Sequence, residues 1–446
     1  MKRYEYYRET ASPFLKEVPS HWEDTRIGRG YAEKSIGNND GEQLLSVFLN
    51  RGVVSYTDTD MKQVHKPSED MSSYQLVEPG DFVLNNQQAW RGSVGVSSYR
   101  GIVSPAYIVM TPIMDNNPRF MNYMLRETAC TAQFVLASKG VGSIQRILSP
   151  IKLKSSIMVL PPRAEQDQIV RYLDWQVSKI NRLIAAKRKQ IALMRDNLKS
   201  AVAYYTTHGL GNHELCQSGI YWLTHYPNDW RVTKLRYILE KHRREVTPNA
   251  ELLICSNSGE VVKRGDGKLG LVASSDDIYQ GVTAGDLLIH GMDTWHGAIA
   301  ISSFDGMCTP VVHVCTCKEE KRYVAYYLKM MAYTKVFKAI SNGVRQNTSD
   351  FRSWDKVGDL LICLPTHDEQ VSIADKLDYL TVQTKAGISF FEKQIEHLQE
   401  LRTRLISDVV TGQVDVRGIK VPDDEYINNE ITEEEFEEES ENNEEE

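Results

Sequence analysis

Cysteine is scarce in this chain of 446 residues. Its seven cysteines are scattered, and only Cys315 and Cys317 lie close together. Both would face the same side of a strand, and no second pair stands at the spacing of a zinc site. An odd, scattered set is typical of reduced thiols, so the sequence predicts neither disulfides nor a metal centre.

Long apolar runs and catalytic signatures are also missing. No apolar run approaches the length that spans a bilayer, and no apolar signal segment follows Met1, so we expect a cytoplasmic protein. There is no dinucleotide fingerprint, phosphate-binding loop, Asn-Pro-Pro-aromatic run of an adenine methyltransferase or nuclease carboxylate cluster. These absences favour a binding protein, although an enzyme with unfamiliar motifs stays open as an alternative.

Negative charge is concentrated at one end. The formal net charge is −8, but residues 421–446 hold 14 acidic residues and no lysine or arginine. The other 46 acidic residues face 52 basic ones, which gives residues 1–420 a formal charge of +6. A mildly basic body permits nucleic-acid binding without requiring it. The acidic tail has little apolar surface to bury and is predicted to be disordered.

Internal similarity is the strongest feature that the chain does have. Residues 80–110 align without a gap onto residues 285–315, and nine of the 31 positions are identical. Among these, Trp90 matches Trp295. A repeat of this length predicts two copies of one domain-sized unit. Two similar surfaces at a fixed separation suit a partner that is read at two places, and duplex DNA is the obvious candidate.

Each copy is followed by an uninterrupted helical pattern, at about 165–207 and 369–410. Apolar or seam residues recur in steps of three and four, the second series ending Leu398, Leu401, Leu405 and Val409. Prolines stand before both patterns, and glycines stand where the helices should stop. About 40 residues at 1.5 Å each form a rod of about 60 Å. The rods can pair with each other, antiparallel given the repeat, or each with a helix of another chain.

Together these features resemble the specificity subunit of type I restriction-modification systems. The stretches 18–22 and 226–230 each carry a proline and a tryptophan, and residues 218–223 precede the second of them. A Gly-Asp pair opens a strand with a Gly-rich loop in each half. Leu160-Pro161 and Leu364-Pro365 are each followed, four residues after the proline, by Glu-Gln. The resemblance covers about residues 12–412.

The resemblance implies a mixed α/β fold. Two similar globular target recognition domains, residues 1–160 and 209–364, would be separated by two long helices, residues 161–208 and 365–412. These helices would form an antiparallel coiled coil, with a pseudo-two-fold internal repeat. Residues 413–446 would form the acidic disordered tail.

The resemblance also implies a function without catalysis by this chain. The chain would read an interrupted, asymmetric site in double-stranded DNA and dock two methyltransferase subunits, which methylate adenine with S-adenosylmethionine. Two restriction/translocase subunits that use ATP and Mg can join this complex. The chain itself would bind no cofactor, metal or membrane, and would act in the cytoplasm of a bacterium or archaeon. The alternative is a coiled-coil adaptor that joins two proteins without touching DNA.

The polar loops of the two halves hold the candidate DNA-binding residues. Arginine, asparagine and glutamine pair with base edges, whereas lysine and arginine also neutralise phosphates. The candidates are Asn85, Asn86, Gln87, Gln88, Arg91, Lys139, Gln145, Arg146, Lys263, Arg264, Lys268, Arg345, Gln346 and Asn347. Exposed loops are also polar for no functional reason, which is the competing interpretation.

Other residues in these loops allow two interpretations. Trp90 and Trp295 could stack on an extruded base or simply pack against the loop. His290, His296 and His313 share one stretch, but the first half has no histidines at the matching places. This disfavours a metal site common to the repeat.

Overall fold

The computed structural model describes residues 2–37, 41–49, 51–56, 68, 70–141, 145–265, 279–341 and 351–422. The chain divides into two compact units. The first unit comprises Met1–Arg188 and Lys393–Glu446, and the second comprises Lys189–Glu392. Each unit therefore contains one mixed segment and part of each of two long helices. Among the described residues, the helices lack an apolar stretch of the length that a bilayer-spanning helix needs.

The two long helices are the longest elements. The first long helix is Arg163–His208 and the second long helix is His367–Val410. Neither contains a proline, whose missing N–H would interrupt the hydrogen-bond ladder. Gly209 and Gly412 follow them with φ of +76° and +72°. This left-handed conformation, which glycine adopts without strain, ends both helices.

Parts of the two long helices pair within each unit, and they run antiparallel. In the first unit Arg402 Nη1 donates to Asn181 Oδ1 at 3.0 Å, and Val409 shares a buried cluster with Ile169, near the start of the first long helix. In the second unit Met194 packs on Gly387, and Val202 shares a cluster with Ile373. The list of buried seam positions is Ile169, Leu173, Ile180, Ile184, Ile191, Val202, Ile373, Leu377, Leu405 and Val409.

One predicted seam position is wrong. Leu401 is 53% exposed, and Arg402 lies against the first long helix instead. The helix continues with steps of four and three from Leu398 through Arg402 to Leu405. The aliphatic stem of an arginine can cover the apolar seam while its guanidinium reaches a polar partner. Arg402 therefore occupies the seam position that the hydrophobic pattern had assigned to Leu401.

Each unit contains a four-stranded antiparallel sheet. The strands of the first sheet are, in spatial order, Tyr31–Lys34, Tyr107–Pro112, Phe82–Asn85 and Val94–Val96. Those of the second are Leu239–His242, Val312–Cys317, Leu287–His290 and Ile299–Ile301. Val83 pairs with Val109 as Leu288 pairs with Val314, so the strand register repeats at the spacing found in the sequence.

Shorter ladders surround the sheets. In the first unit they are Tyr7–Glu9 with Glu17–Pro19, Glu23–Arg26 with Ile157–Leu160, Leu45–Phe48 with Gly52–Ser55, Gln75–Val77 with Gly101–Val103, and Ser138–Val141 with Gln145–Leu148. In the second they are Leu215–Ile220 with Leu223–Pro227, Arg231–Lys234 with Leu361–Leu364, Leu253–Cys255 with Val261–Lys263, and Gln280–Val282 with Gly306–Cys308.

Short helices complete both units. The first unit has Ile27–Gly30, Ala89–Arg91, Pro118–Arg126, Thr128–Ala137 and Pro150–Ser155. The second has Leu235–Ile238, Thr294–His296, Lys321–Tyr333, Val336–Ile340 and Trp354–Gly358. Helix Pro118–Arg126 begins with proline, and the Asn117 side chain accepts from the backbone N–H groups of Arg119 and Phe120.

The repeated Gly-Asp pair has a structural role in both units. Asp81 Oδ2 accepts from the backbone N–H of Glu78 and from Lys34 Nζ, both at 2.8 Å. Asp286 accepts from the backbone N–H of Thr283 at 2.7 Å and pairs with Arg244. One buried carboxylate thus closes the turn before a central strand and binds a cation from a neighbouring segment, which stabilises the sheet.

The repeated Glu-Gln pair joins each long helix to its own unit. Gln166 Nε2 donates to Pro161 O at 3.0 Å, and its Oε1 accepts from the backbone N–H of Asn117 at 2.8 Å. Gln370 makes the corresponding bonds to Pro365 O and from the Glu320 N–H, both at 3.0 Å. The amide is suited to this place because it donates and accepts at once.

The packed chain extends further than composition suggested. The sequence predicted that a disordered tail begins at residue 413. Residues 413–422, however, belong to the described structure. Val414 and Val416 are buried in the core of the first unit, and Gln168 Nε2 donates to Val416 O at 3.0 Å. Alternating valines supply the apolar surface that the acidic segment lacks. Residues 423–446 lie outside the described ranges.

Candidate nucleic-acid interface

The loop of residues 85–92 follows a central strand of the first unit. Asn85 Oδ1 accepts from the backbone N–H groups of Gln87 at 3.0 Å and Gln88 at 3.2 Å. The turn ends at Gly92, whose φ is +99°. Trp90 Nε1 donates to Gln87 O at 2.9 Å. The side chain of Asn85 therefore holds the loop, and Gln87 is exposed beside it.

The loop of residues 290–297 repeats this backbone in the second unit with other side chains. His290 Nδ1 accepts from the backbone N–H of Asp293 at 3.1 Å, as Asn85 accepts from Gln88. Gly297 ends the turn with φ of +85°. Burial lowers the pKa of His290, although Asp293 acts in the opposite direction. Burial favours the neutral imidazole, the form that can accept at Nδ1, whereas Asp293 Oδ2, 3.1 Å from the same Nδ1, favours the protonated ring.

A hairpin of the first unit meets the first loop. The hairpin consists of Ser138–Val141 and Gln145–Leu148. The backbone N–H of Leu148 donates to Asn86 Oδ1 at 3.1 Å, so the loop and the hairpin are joined directly. The guanidinium of Arg146 lies 5.3 Å from the Trp90 ring centroid, and that of Arg91 lies 4.8 Å from it.

The structure therefore brings most candidates of the first half together. Asn85, Asn86, Gln87, Gln88 and Arg91 share the loop, and Arg146 reaches it from the hairpin. Lys139 is exposed on the opposite hairpin strand, and Gln145 lies in that hairpin by its backbone. The amide oxygens of the two asparagines are engaged within the protein, whereas the exposed Gln87 and Arg91 side chains stand at the surface. Their contact with DNA stays a prediction.

The candidates of the second half are only partly described. Lys263 ends the strand Val261–Lys263, where its Nζ lies 2.5 Å from Glu251 Oε2 and 5.2 Å from the Phe304 ring centroid. The backbone N–H of Arg264 donates to Leu252 O at 2.9 Å. Lys268, Arg345, Gln346 and Asn347 lie outside the described residues. In the second half the structure therefore describes two basic candidates, Lys263 and Arg264, and the backbone of the loop at 290–297.

Two half-buried cations that the sequence did not single out support hairpin turns at the same place in each unit. Arg126 Nη1 lies 3.5 Å from Arg51 O, beside Gly52. Lys329 Nζ donates to Gly259 O at 3.0 Å. Burial lowers the pKa of both cations. The sequence does contain a pattern that marks these two cations, because Tyr123-Met124-Leu125 and Tyr326-Tyr327-Leu328 are each followed by a basic residue.

The surroundings of His313, Cys315 and Cys317 indicate a structural role for these side chains. His313 is buried, and its Nε2 donates to Phe351 O at 2.7 Å. Burial raises the pKa of Cys315 to about 12 and that of Cys317 to about 11, which suppresses the reactive thiolate. In the described ranges, no three side chains of histidine, cysteine, aspartate or glutamate are grouped as a metal would require. Trp295 packs against the core of the second unit.

No protein-family model and no curated protein matches the chain. A chain from the structure described as "Structural basis underlying complex assembly and conformational transition of the type I R-M system" matches with a TM-score of 0.64 and 13% identity, over 89% of this chain and 99% of that chain. This likeness shows a shared fold. The mixed fold with paired long helices that the sequence predicted is thereby confirmed.

Two further solved structures match the chain with lower TM-scores. The HsdS subunit from Thermoanaerobacter tengcongensis has a TM-score of 0.45 and 15% identity, over 89% of this chain and 98% of that chain. The type I restriction-modification system S subunit from M. genitalium has a TM-score of 0.34 and 10% identity, over 90% of this chain and 97% of that chain.

Proposed function

We propose that this chain is the DNA-specificity subunit of a type I restriction-modification complex. Each unit reads one half of an interrupted site, and the two long helices set the gap between the halves. The chain performs no catalysis. It docks two methyltransferase subunits, which use S-adenosylmethionine, and two ATP- and Mg-dependent restriction/translocase subunits can join them.

One observation carries this proposal: the same loop backbone bears different side chains in the two units. The loops at 85–92 and 290–297 share the side-chain acceptor at the first position, the short helix and the left-handed glycine. Asn86, Gln87 and Gln88 in the first unit correspond to Gly291, Met292 and Asp293 in the second. A shared scaffold with unlike groups at its surface is what two readers of unlike half-sites require.

Salt-dependent binding to duplex DNA tests the proposal. The full chain, assembled with its methyltransferase subunit, should bind a target duplex more tightly than a scrambled one, and log K should fall linearly with log salt concentration. Equal affinity for both duplexes would reject sequence reading. No affinity for either would favour the adaptor that joins proteins only.

A transfer assay separates this proposal from an enzymatic role. Purified chain alone, given S-adenosylmethionine and the target duplex, should transfer no methyl groups, and addition of the methyltransferase subunit should start the transfer. Methyl transfer by the chain alone would contradict the non-catalytic assignment.

A further inference from the structure

One carboxylate of the first long helix binds the globular part of the first unit. Asp174 Oδ1 accepts from Arg119 Nη2 at 2.8 Å and from the Tyr123 hydroxyl at 3.4 Å. Arg119 and Tyr123 lie four residues apart on the helix Pro118–Arg126, so both side chains stand on one face of it. The Asp174 side chain is only 1% exposed. We call Arg119, Tyr123 and Asp174 the first triad.

The second unit repeats this arrangement. Asp378 of the second long helix accepts from Arg322 Nη1 at 2.8 Å and from the Tyr326 hydroxyl at 2.7 Å. Arg322 and Tyr326 are again the second residue of a helix, Lys321–Tyr333, and the residue one turn later. Asp375 is a further partner of Arg322 at 2.7 Å. We call Arg322, Tyr326 and Asp378 the second triad.

The triads agree although their surroundings on the long helices differ. Arg171 stands three residues before Asp174, whereas Asp375 stands at the matching place before Asp378. Burial raises the pKa of Asp174, although Arg119 acts in the opposite direction, so this carboxylate is placed there at a desolvation cost. A buried ion pair contributes little more stability than an apolar contact would. Its presence in both units therefore points to a constraint on orientation.

The helix that carries each arginine and tyrosine also contacts the loop to which the proposed function assigns base reading. In the first unit the backbone N–H of Val96 donates to Asn122 Oδ1 at 3.0 Å, and the strand of Val96 begins two residues after the loop 85–92. In the second unit the ring of Tyr333 lies beside Gly297, where a Cβ would stand 3.5 Å from it. A continuous set of contacts thus leads from each long helix to the loop of its own unit.

The geometry of duplex DNA determines what such a connection can do. One base pair more or less in the gap moves a half-site by about 3.4 Å along the duplex and turns it by about 35° around the axis. A hydrogen bond of ordinary length does not survive a displacement of that size. A loop that is fixed to its long helix cannot follow the displaced half-site, whereas a loosely attached loop can.

We propose that Asp174 and Asp378, each with the arginine and tyrosine of its triad, are positioning residues that fix the reading loops to the long helices and thereby restrict binding to one gap length. This inference rests on the proposed function and deepens it. The loops determine which bases are read, and the triads determine how far apart the two half-sites must be.

The test measures gap selectivity and sequence selectivity separately. The full chain, assembled with its methyltransferase subunit, is titrated with target duplexes whose gap is shortened or lengthened by one base pair. A second set of duplexes keeps the gap and replaces one base in a half-site. The triad variants are Asp174→Ala and Asp378→Ala, together with the milder Tyr123→Phe and Tyr326→Phe, which each remove one hydroxyl.

Matched controls break ion pairs that lie within the globular parts and do not involve the long helices. Glu33→Ala removes the partner of Lys154, and Asp359→Ala removes a partner of Lys234. Affinity is measured by fluorescence anisotropy, and folding is measured by thermal unfolding. Gap selectivity is the ratio of the affinities for the original and the altered gap.

Each aspartate variant should lose roughly 10- to 100-fold in gap selectivity, the range of one hydrogen bond to a charged group. Each tyrosine variant should lose roughly 2- to 10-fold, the range of an ordinary hydrogen bond. The response to a replaced half-site base should equal that of the wild type, because no loop residue has changed. Both controls should keep the gap selectivity of the wild type.

Other results would overturn the inference. Triad variants that keep the gap selectivity of the wild type would show that the triads only support the fold, even if unfolding temperatures fall. Sequence selectivity that is lost together with gap selectivity would assign the triads to the shape of the loops instead of their placement. If an aspartate variant fails to fold, the tyrosine variants decide by the same criteria.

Failure of the proposed function would give a different result. A wild-type complex that binds every gap equally, or that binds target and scrambled duplexes equally, would reject the proposed function and this inference with it. A wild-type complex that is selective for gap and sequence, with triad variants equal to it, would reject the inference alone.

Discussion

Substitution of Asp81 by alanine should destabilise the first unit strongly. The Asp81 carboxylate is 2% exposed and binds Lys34 Nζ at 2.8 Å, and the Lys34 side chain is 8% exposed. Burial alone would lower the pKa of Lys34, but its hydrogen bonds to Asp81 and Glu78 raise it. Alanine would leave a buried ammonium with one exposed partner and the Glu78 N–H without its acceptor.

The magnitude follows from these contacts. Removing one partner of a buried ion pair costs about 3–5 kcal/mol, and the lower end applies because Glu78 still reaches Lys34. Glu78→Ala is the matched control, since it removes the other partner of the same lysine. The Glu78 side chain is 46% exposed, so its loss should change stability little. The double variant Lys34→Met, Asp81→Ala should recover part of the loss, because no buried charge remains.

Hydrogen exchange of the strands Phe82–Asn85 and Val94–Val96 measures this effect locally. Asp81→Ala should accelerate their exchange by roughly 100-fold, which corresponds to about 3 kcal/mol. A change no larger than that of Glu78→Ala would show that the Asp81–Lys34 pair does not stabilise these strands, as would a double variant less stable than Asp81→Ala.

Three further predictions follow from other parts of the molecule. His290→Asn places the first-unit residue in the second loop. Because burial holds the pKa of His290 down, the unfolded chain binds more protons as pH falls below about 6.5, and stability declines by up to about 1.4 kcal/mol per pH unit. The variant should lose part of this decline in thermal unfolding, and an unchanged decline would contradict the assignment. Ending the chain after residue 412 should destabilise the first unit by at least about 3 kcal/mol, since Val414 and Val416 are buried, whereas ending it after residue 422 should not; equal denaturation midpoints would count against this. Inserting whole helical turns into both long helices should lengthen the gap between half-sites and keep their sequences, and methylation at the original gap would reject that role.

Periodic features of the fold could be predicted from the sequence because they depend on local patterns. The long helices and the repeated strands follow from recurring apolar residues and from the alignment of the two halves. Finer assignments failed where a single residue departed from the character of its neighbours. Arg402 occupies a seam position beside the exposed Leu401, and Val414 and Val416 pack a segment that was grouped with the acidic tail.

The candidate interface could be predicted only as a set of loops. Asn85 and Asn86 have the chemistry of base-reading residues, but their amide oxygens accept hydrogen bonds from the loop and the hairpin. Side-chain type cannot distinguish these uses, since the same groups serve both. The cluster of Arg146 on Trp90 joins residues far apart in the chain, so no local pattern announces it.

Methylome sequencing of cells with and without this chain can reveal the bases that the two units read. One interrupted motif with two unlike halves should lose adenine methylation when the chain is removed, while other motifs keep theirs. Unchanged methylation at every motif, or loss at a single uninterrupted palindrome, would contradict the claim that two units read two different half-sites.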